Sequence, residues 1–451
     1  MGTVLASDPM PPVAAATLLV FLVQVATLLA AAILLGRLAA RLGMAAIVGE
    51  LFAGVLLGPS LLGHVAPATA EWLFPHRTGQ FNMLDAVGQL GMLLLVGVAG
   101  MCLDVGLLRR QGPRAGVVSL TSLIIPLVLG VVCGLLLPAV IMPASGDRAV
   151  FAGFIGVALC VSAIPVIAKI LADLRLLHRD LGQLTLMAAG VDDAIGWLLL
   201  AVVTTMATVG VSTGSVLLSV LTLTGILLFT GLVLRPLLHV VLRFTDRAKD
   251  QATTVAVIAV LIVACSAATQ ALKMEAVLGA FLCGIAISST RRVDAARLSS
   301  LRTVVLGVLA PIFFATAGLR MDLTLLADPT VALSAVVVLA VAVIGKFGGA
   351  YLGAGIIGLD RWHALSLGAG LNARGVVQIV VASVGLRVGV IGTTAYTIIV
   401  LVALATSVMA PPMLRYALRR VETTPAEHDR EVRLGLAREE PPVAVPVGSS
   451  A

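Results

Sequence analysis

Long apolar stretches dominate this sequence and restrict the folds open to it. About thirteen stretches have the length that a helix needs to cross the hydrocarbon core of a bilayer. The chain is 59% hydrophobic and only 12% charged, whereas soluble proteins carry about 25% charged residues. The sequence therefore predicts an all-α polytopic membrane protein. The predicted spans are 14–36, 44–62, 82–103, 115–142, 150–171, 181–207, 214–242, 252–272, 275–290, 301–319, 330–358, 363–386 and 393–418.

The Lys and Arg residues between the spans indicate an orientation. With the N-terminus outside, most of them fall on the cytoplasmic side, as the positive-inside rule predicts. The net charge of +7 is then explained by topology, or by a patch on the lipid surface, and not by nucleic-acid binding. We expect a multi-pass protein of the cell (inner) membrane with a cytoplasmic C-terminus. The basic residues expected outside are Arg77, Arg148, Lys273, Arg320 and Arg387.

Three regions follow from this pattern. Residues 1–13 are expected to form a short extracytoplasmic N-terminus and residues 14–418 the transmembrane domain. Residues 419–451 are polar and proline-containing, which is typical of a disordered cytoplasmic tail. The five cysteines are scattered within apolar stretches and predict neither zinc binding nor a disulfide framework. We expect no cofactor.

Two adjacent aspartates, Asp192 and Asp193, interrupt the sixth span near its middle. A charge at the centre of a membrane helix costs about 2.5–3.5 kcal/mol even on the lenient insertion scale. The pair therefore requires neutralisation by protons, a metal cation or a basic partner. This dyad is the first candidate for a site that handles ions.

Short motifs recur in the two halves of the sequence. Residues 50–60 (ELFAGVLLGPS) resemble 280–289 (AFLCGIAISS), and 93–104 (LLLVGVAGMCLD) resemble 311–322 (PIFFATAGLRMD). Corresponding elements are seven spans apart, so the two copies would cross the membrane in opposite senses. Such inverted repeats are typical of secondary transporters. Chance similarity between glycine-rich apolar segments is the alternative.

The fifth and twelfth spans correspond in this repeat, and both contain residues that break helices. Pro165 removes a backbone hydrogen bond in the fifth span, where Ser162 adds a hydroxyl. Asn372, Arg374 and Gly375 interrupt the twelfth span. Paired broken helices indicate an ion site at the membrane midplane. Pro165 alone is also compatible with a simple kink.

Four basic residues lie inside the predicted spans. Lys169 and Arg235 are near the cytoplasmic ends and can extend to the membrane surface. Lys346 and Arg374 lie near the centres of their spans and cannot easily do so. We expect Lys346 to pair with one aspartate of the dyad. Arg374 is expected to compensate the carbonyl ends of the broken helices or another carboxylate.

Five segments carry a resemblance to a known family. They are, in this order, VDDAIGW (191–197), LGAFLCGIAIS (278–288), PIFFATAGLRMDL (311–323), GKFGGAYLGA (345–354) and LNARGVVQIV (371–380). Together they resemble the monovalent cation/proton antiporter family of the bacterial sodium/proton exchanger superfamily, in its Kef-like branch without the nucleotide-binding domain. The resemblance covers about residues 15–418. It implies a homodimer with core helices at about 115–207 and 330–418 and scaffold or dimer helices at about 14–103 and 214–319.

The resemblance also implies roles for individual residues. Asp193 matches the family's ion-binding aspartate, Asp192 its partner, and Lys346 the lysine that pairs with that partner. Ser162 replaces a common Thr and keeps the hydroxyl of a supporting ion ligand. Gln378 replaces a common Glu, which puts in doubt any charge-pairing or pH-sensing role near the broken helix. The implied substrates are H⁺ and Na⁺, or Li⁺ or K⁺, with membrane lipids as surroundings and no nucleic acid.

Two departures from Kef-type potassium systems affect the expected cargo. Those systems commonly carry Gln where this sequence has Asp192, and they carry a nucleotide-binding domain that this sequence lacks. Both departures favour sodium/proton exchange over potassium efflux. The alternatives are a K⁺/H⁺ antiporter, a K⁺ efflux system, and a channel-like or organic-ion transporter on the same fold. An enzyme is disfavoured because the sequence offers no nucleophile–base set.

The resulting hypothesis is competition between a proton and a cation for one carboxylate site. Asp193 would bind either of them, with oxygen ligands from Asp192, Ser162 and freed backbone carbonyls, which suit a hard cation. Lys346 would stabilise Asp192 while the cation is absent. The helices that carry the dyad would move across the membrane against a static scaffold.

Overall fold

The computed structural model describes residues 14–75, 78–101, 112–143, 146–163, 166–167, 170–171, 176, 179–209, 221, 224–248, 251–272, 274–290, 295–421 and 427. The regular secondary structure of these residues is helical, without strands. The main helices are α1 (Ala15–Arg41), α2 (Ala46–Leu57), α3 (Thr78–Met101), α4 (Gly112–Leu136), α5 (Arg148–Cys160), α6 (Asp180–Val209), α7 (Thr224–Arg243), α8 (Gln251–Ala271), α9 (Ala276–Ser289), α10 (Leu298–Leu319), α11 (Pro329–Ile356), α12 (Arg361–Leu371), α13 (Val376–Arg387) and α14 (Thr393–Leu418).

The predicted multi-pass helical fold is confirmed. Among the described residues, ten helical segments are long and apolar enough to cross a membrane, or eleven if the bent pair α12 and α13 forms one span. Each of the predicted apolar stretches overlaps one of the main helices. The shorter helices α5 and α9 have 13 and 14 residues. The number of thirteen complete spans therefore stays a prediction.

Aspartates cap the first turns of three helices. Asp147 accepts hydrogen bonds from the backbone amides of Ala149 and Val150 at the start of α5. Asp328 and Asp360 make the same kind of cap at the starts of α11 and α12. The first amides of a helix lack partners within it, so these carboxylates define where the three helices begin.

Glycine contacts reveal the internal repeat in three dimensions. Gly54 of α2 packs against α10, where an added Cβ would lie 1.9 Å from the Ala315 carbonyl oxygen. Its counterpart in the repeat, Gly284 of α9, packs against α3, where a Cβ would lie 2.2 Å from the Gly97 carbonyl oxygen. Each copy of the motif thus uses a glycine at the same place to approach the equivalent helix. Such matched packing supports the inverted repeat over chance similarity.

The helices pack as two groups. The dyad group contains α4–α6 and α11–α14, and α4 lies at its centre against both α5 and α11. Small residues allow this close approach, because a Cβ on Gly349 of α11 would lie 2.5 Å from the Thr121 carbonyl oxygen of α4. The flanking group contains α1–α3 and α7–α10. Aromatic contact links the groups where Trp197 of α6 meets Phe281 of α9, with ring centroids 5.7 Å apart.

Four residues of the predicted tail are described, namely Arg419, Arg420, Val421 and Glu427. Val421 and Glu427 are buried, and the Glu427 carboxylate lies 3.3 Å from Nε of Arg179. Glu427 also accepts a 2.8 Å hydrogen bond from the backbone amide of Asp180, the first residue of α6. The rest of the tail after Val421 lies outside the described residues, as do Pro165 and Lys169, so disorder of residues 419–451 stays a prediction. Arg235, the other basic residue expected to reach the membrane surface, is exposed on α7.

Candidate functional site

The two aspartates lie side by side in α6, and both are enclosed. Asp192 is 0% exposed and Asp193 is 2% exposed. Successive residues of an α-helix are rotated by about 100°, so the two carboxylates leave the helix in different directions. The dyad is therefore two neighbouring positions with different surroundings, and not one symmetric carboxylate pair.

Asp192 accepts hydrogen bonds from three serines. Ser119 Oγ donates to its Oδ1 at 2.6 Å, and both remaining serines donate to Oδ2, Ser162 at 2.9 Å and Ser122 at 3.2 Å. Ser119 and Ser122 come from α4, and Ser162 comes from the non-helical segment after α5. Hydrogen bonds to an ionised acceptor are among the stronger ones in proteins. The three hydroxyls therefore provide hydrogen-bond donors to both oxygens of the Asp192 side chain.

Lys346 forms the salt bridge to Asp192 in the structure, with Nζ 2.7 Å from Oδ2 and both side chains 0% exposed. Its other two donors reach the backbone oxygens of Cys160 at 2.7 Å and Ser122 at 3.1 Å. The Cys160 carbonyl is free to accept because α5 ends at this residue. An ammonium group has three donors, and all three are used here. The interruption of the fifth span thus supplies a ligand for the lysine.

The second interruption lies between α12 and α13, whose axes differ by 44°. Gly375 packs closely on the first one, because a Cβ there would lie 2.7 Å from Cγ2 of Val166. Ser162 links the two segments as well, since its hydroxyl lies 3.2 Å from the Leu371 carbonyl oxygen. The two interrupted segments therefore meet beside the dyad. Pro165, the predicted cause of the first break, lies outside the described residues.

Polar side chains of the second break are buried. Arg374 is 0% exposed and donates from Nη2 to the Ala342 carbonyl oxygen of α11 at 2.8 Å, while its own carbonyl accepts from Ser407 of α14. Ala342 lies within the continuous helix α11, so compensation of the broken-helix carbonyl ends or of a carboxylate by Arg374 stays a prediction. Asn372 is also 0% exposed, and its side-chain amide has no hydrogen-bond partner among the described residues. Buried amides of this kind are normally satisfied by water or a ligand.

Gln378 lies in the first turn of α13 and contacts a neighbouring helix. Its Nε2 donates to the Ile399 carbonyl oxygen of α14 at 3.2 Å, and the side chain is 0% exposed. A Glu at this position could not donate this hydrogen bond while ionised. The observed contact suits packing between α13 and α14.

Sequence reasoning missed Ser119, Ser122 and the Cys160 carbonyl. A signal for the serines was present, because SLTS places two hydroxyls three residues apart, on one face of an otherwise apolar helix. The carbonyl carried no sequence signal. Ser162 was predicted as an ion ligand, and in the structure its hydroxyl contacts Asp192 and Leu371.

The donor set of the site suits a monovalent cation or a proton. Hydroxyl, carboxylate and carbonyl oxygens surround the dyad, and hard cations prefer oxygen ligands. Among the described residues, no group of three or more His, Cys, Asp or Glu side chains is placed to hold a metal ion. The site therefore contains one carboxylate paired with Lys346 and, next to it in the chain, a second buried carboxylate.

Comparison with known proteins identifies the family. Residues 26–420 match the family model described as "Sodium/hydrogen exchanger, transmembrane". The chain is 30% identical to the Na⁺/H⁺ antiporter NhaS4 of Synechocystis over 403 residues, which cover 88% of this chain and 97% of the relative. It is 26% identical to K⁺/H⁺ antiporter 1 of Saccharomyces cerevisiae over 85% of this chain, and the match spans 45% of that longer protein.

A solved structure shares the fold. The sodium proton antiporter MjNhaP1 from Methanocaldococcus jannaschii superposes with a TM-score of 0.68 at 16% sequence identity, over 90% of this chain and 99% of that one. This likeness supports the fold alone. Together, the family model and the relative at 30% identity confirm the family indicated by the sequence motifs. The chain belongs to the transmembrane sodium/hydrogen exchanger family.

Proposed function

We propose that this cation/proton antiporter exchanges Na⁺ for H⁺ at Asp193, with the Asp192–Lys346 pair coupling the two ions. Members of its family are secondary transporters and not enzymes. The observation that carries the proposal is the enclosed salt bridge between Lys346 and Asp192, immediately beside the buried Asp193 and at the meeting point of two interrupted helices.

The burial of these groups favours competition between ions. A charge buried inside a membrane protein is costly, so a buried carboxylate such as Asp193, which is 2% exposed, favours binding of a proton or a cation. Asp192 is already compensated by Lys346 and three serine hydroxyls. Cation entry beside Asp192 would weaken its attraction to Lys346 and allow the lysine to release its proton. One cation would then replace the protons that neutralise the site.

The packing in two groups suggests how access alternates. We propose that the dyad group is the moving core and that the flanking group is the static scaffold and the dimer contact. The N-terminus would be outside and the C-terminus cytoplasmic, in the cell membrane, as the distribution of basic residues predicts. A channel is disfavoured because a pore would be lined by accessible polar groups, whereas Asp192 and Lys346 are both 0% exposed.

The cation is the least determined part of the proposal. NhaS4 is named a Na⁺/H⁺ antiporter and the yeast relative a K⁺/H⁺ antiporter, so K⁺ is the second candidate. The yeast relative is less similar, and the match spans under half of its length. We therefore place Na⁺ first.

The test is exchange by the purified chain in proteoliposomes with an imposed pH gradient and a pH-sensitive dye. Adding Na⁺, Li⁺ or K⁺ in turn should dissipate the pH gradient, with Na⁺ the most effective cation. Asp193→Asn should abolish the response while the variant remains folded. Asp328→Asn is the matched control, because Asp328 caps α11 away from the dyad and Asn caps helices equally well. Normal exchange by Asp193→Asn would reject the assignment, and a larger response to K⁺ would favour the second candidate.

A further inference from the structure

Charged side chains from both helix groups meet at one face of the molecule, away from the dyad. Arg387 is the last residue of α13 in the dyad group. Its Nη1 donates to Oε1 of Gln89 on α3 at 2.9 Å, and its Nη2 pairs with the carboxylate of Glu275 just before α9. Both partners belong to the flanking group. This arginine therefore connects the two groups, as the hydrogen bond from the Tyr396 hydroxyl of α14 to the Ala317 carbonyl oxygen of α10 also does.

A cavity opens at the same place and narrows inward. Its outer part has a volume of about 390 Å³ and is lined by Asp85, Gln89, Arg320, Leu386, Arg387 and Thr393. Below it lies a space of about 10 Å³, which is close to the volume that one water molecule needs. Thr316 of α10 and Ser383 of α13 line this inner space from opposite groups. The two spaces share Asp85, Gln89 and Arg320 in their linings, so a route between the groups is present and nearly closed.

The two arginines of the cavity make different kinds of connection. Arg320 pairs with Asp85, and both residues belong to the flanking group. That pair is preserved when one group moves against the other. The pair between Arg387 and Glu275 crosses the boundary, so it must break in such a movement. Glu275 has an 8% exposed side chain beneath Arg387, whose side chain is 37% exposed, so departure of the arginine would uncover a carboxylate.

We propose that Arg387 gates this route by holding the two groups together through Glu275 and Gln89. While Arg387 is in place the route is closed, and when the dyad group moves it opens and exposes the Glu275 carboxylate to arriving cations. A carboxylate in a narrow cleft raises the local concentration of cations. The inference rests on the proposed movement of the two groups. It assigns Arg387 and Glu275 a function that neither the dyad nor the broken helices require.

Thiol labelling of the full-length solubilised protein tests the gate without requiring transport. Ser383→Cys places a probe in the inner space, and peptide mass spectrometry separates its labelling from that of the native cysteines. Arg387→Gln should raise the labelling rate at position 383 by about fivefold or more, since loss of about 1 kcal/mol changes a population by that factor. Glu275→Gln should have the same effect, and the double variant should label no faster than either single variant.

Arg148→Gln is the matched control. Arg148 donates to the carbonyl oxygens of Leu135 and Leu137 and so stays within the dyad group. It should leave labelling at position 383 unchanged. If Arg387→Gln lowers thermal stability but does not raise labelling, or if the effects of the two single variants add, Arg387 is not a gate. Labelling does not depend on ion exchange. A failed exchange assay would therefore not affect the test of the gate, and a failed gate test would not affect the assignment of Asp193.

Discussion

At the scale of single residues, burial determines what the charged side chains can do. Asp192 accepts from three serine hydroxyls and from Lys346, whereas the side chain of its neighbour Asp193 leaves α6 in a different direction. Hydropathy reveals a charge within an apolar stretch, and this was enough to select Asp192, Asp193 and Lys346. The two serines of α4 were not selected, because a hydroxyl in a membrane helix usually bonds to its own backbone. Thr121 does so in the same helix, with its hydroxyl 3.0 Å from the Val117 carbonyl oxygen.

The first prediction concerns the buried pair. Lys346→Ala should lower thermal stability, because removing one partner of a buried salt bridge costs about 3–5 kcal/mol. Asp192→Asn in the Lys346→Ala background should recover part of the loss, since the remaining charge is removed. A double-mutant cycle is built from the melting temperatures of the wild type, the two single variants and the double variant, all measured in one detergent. Strictly additive shifts would contradict an energetic pair.

The second prediction separates Ser119 from the other hydroxyls of α4. Ser119→Ala should reduce stability by about 1.5–3 kcal/mol, as expected for a buried hydrogen bond to a charged group. It should also slow exchange, because Asp192 loses its shortest hydroxyl donor. Thr121→Val is the matched control, because the Thr121 hydroxyl donates to backbone carbonyl oxygens of its own helix. Equal effects of the two substitutions on both exchange and melting would remove Ser119 from the site.

At the scale of elements, close packing and caps decide where helices lie.

The third prediction concerns glycines at which helices of the two repeats approach each other closely. Gly318→Ala should impair folding or stability strongly, because its Cβ would lie 2.1 Å from the Leu51 carbonyl oxygen of α2, closer than any real contact. Gly284→Ala should behave alike. Gly348→Ala is the control, because nothing lies within 4 Å of a Cβ at that position of α11. Yield of monodisperse protein and its melting temperature are the measurements, and tolerance of both repeat variants would contradict the packing.

The fourth prediction concerns the cap of α12. Asp360 accepts hydrogen bonds from the backbone and side chain of His363, which lower the pKa of this exposed carboxyl group. A carboxyl group whose pKa is lower in the folded state stabilises the protein above the unfolded-state value of about 3.9, and this contribution is lost as the pH falls through the folded-state value. Asp360→Ala should therefore cost about 0.5–2 kcal/mol at neutral pH through loss of the cap.

The difference between wild type and Asp360→Ala should shrink as the pH falls below about 3.9 and through the lowered folded-state pKa of Asp360, because the wild-type carboxylate becomes protonated there. Asp360→Asn is the matched control, since Asn keeps the cap without an ionisable group. Melting temperatures at several pH values give the comparison. A constant difference between wild type and the Ala variant across this range would mean that ionisation of Asp360 does not contribute.

At the scale of the whole molecule, the fifth prediction is the coupling ratio. If Asp193 and Lys346 each release a proton when one Na⁺ binds, exchange moves one net charge per cycle. A membrane potential then acts on each cycle with about 2.3 kcal/mol per 100 mV. The exchange rate in proteoliposomes should respond to a potassium–valinomycin clamp. Any exchange that remains in Lys346→Gln should not depend on the membrane potential. In that variant one proton would be exchanged for one Na⁺, and no net charge would move.

A wild-type rate that ignores the clamp would overturn the two-proton model. It would leave Asp193 as the proposed ion site, because a one-for-one exchange also requires a single carboxylate. Na⁺ should be the cation in this assay, with K⁺ kept for the clamp. An effect of valinomycin alone on protein-free liposomes is the control to subtract.

The sequence by itself determined the helical membrane fold, the repeat and the family, because these depend on local properties. Hydropathy is read from runs of about 20 residues, and the family motifs are short continuous segments. The dyad and the central lysine were visible for the same reason, since a charge within an apolar run is conspicuous. Ser119 and Ser122 carried only the weaker signal of two hydroxyls spaced three residues apart in an apolar helix.

The tertiary structure alone decided which distant residues meet. Ser119 and Asp192 are 73 residues apart in the chain, Glu275 and Arg387 are 112 apart, and Asp192 and Lys346 are 154 apart. Only the packing of α4, α6 and α11 brings the serines to the carboxylate, and only the end of α5 frees the Cys160 carbonyl for the lysine. Such contacts depend on which helix faces meet, because burial and hydrogen bonding are properties of the assembled molecule and not of any single stretch.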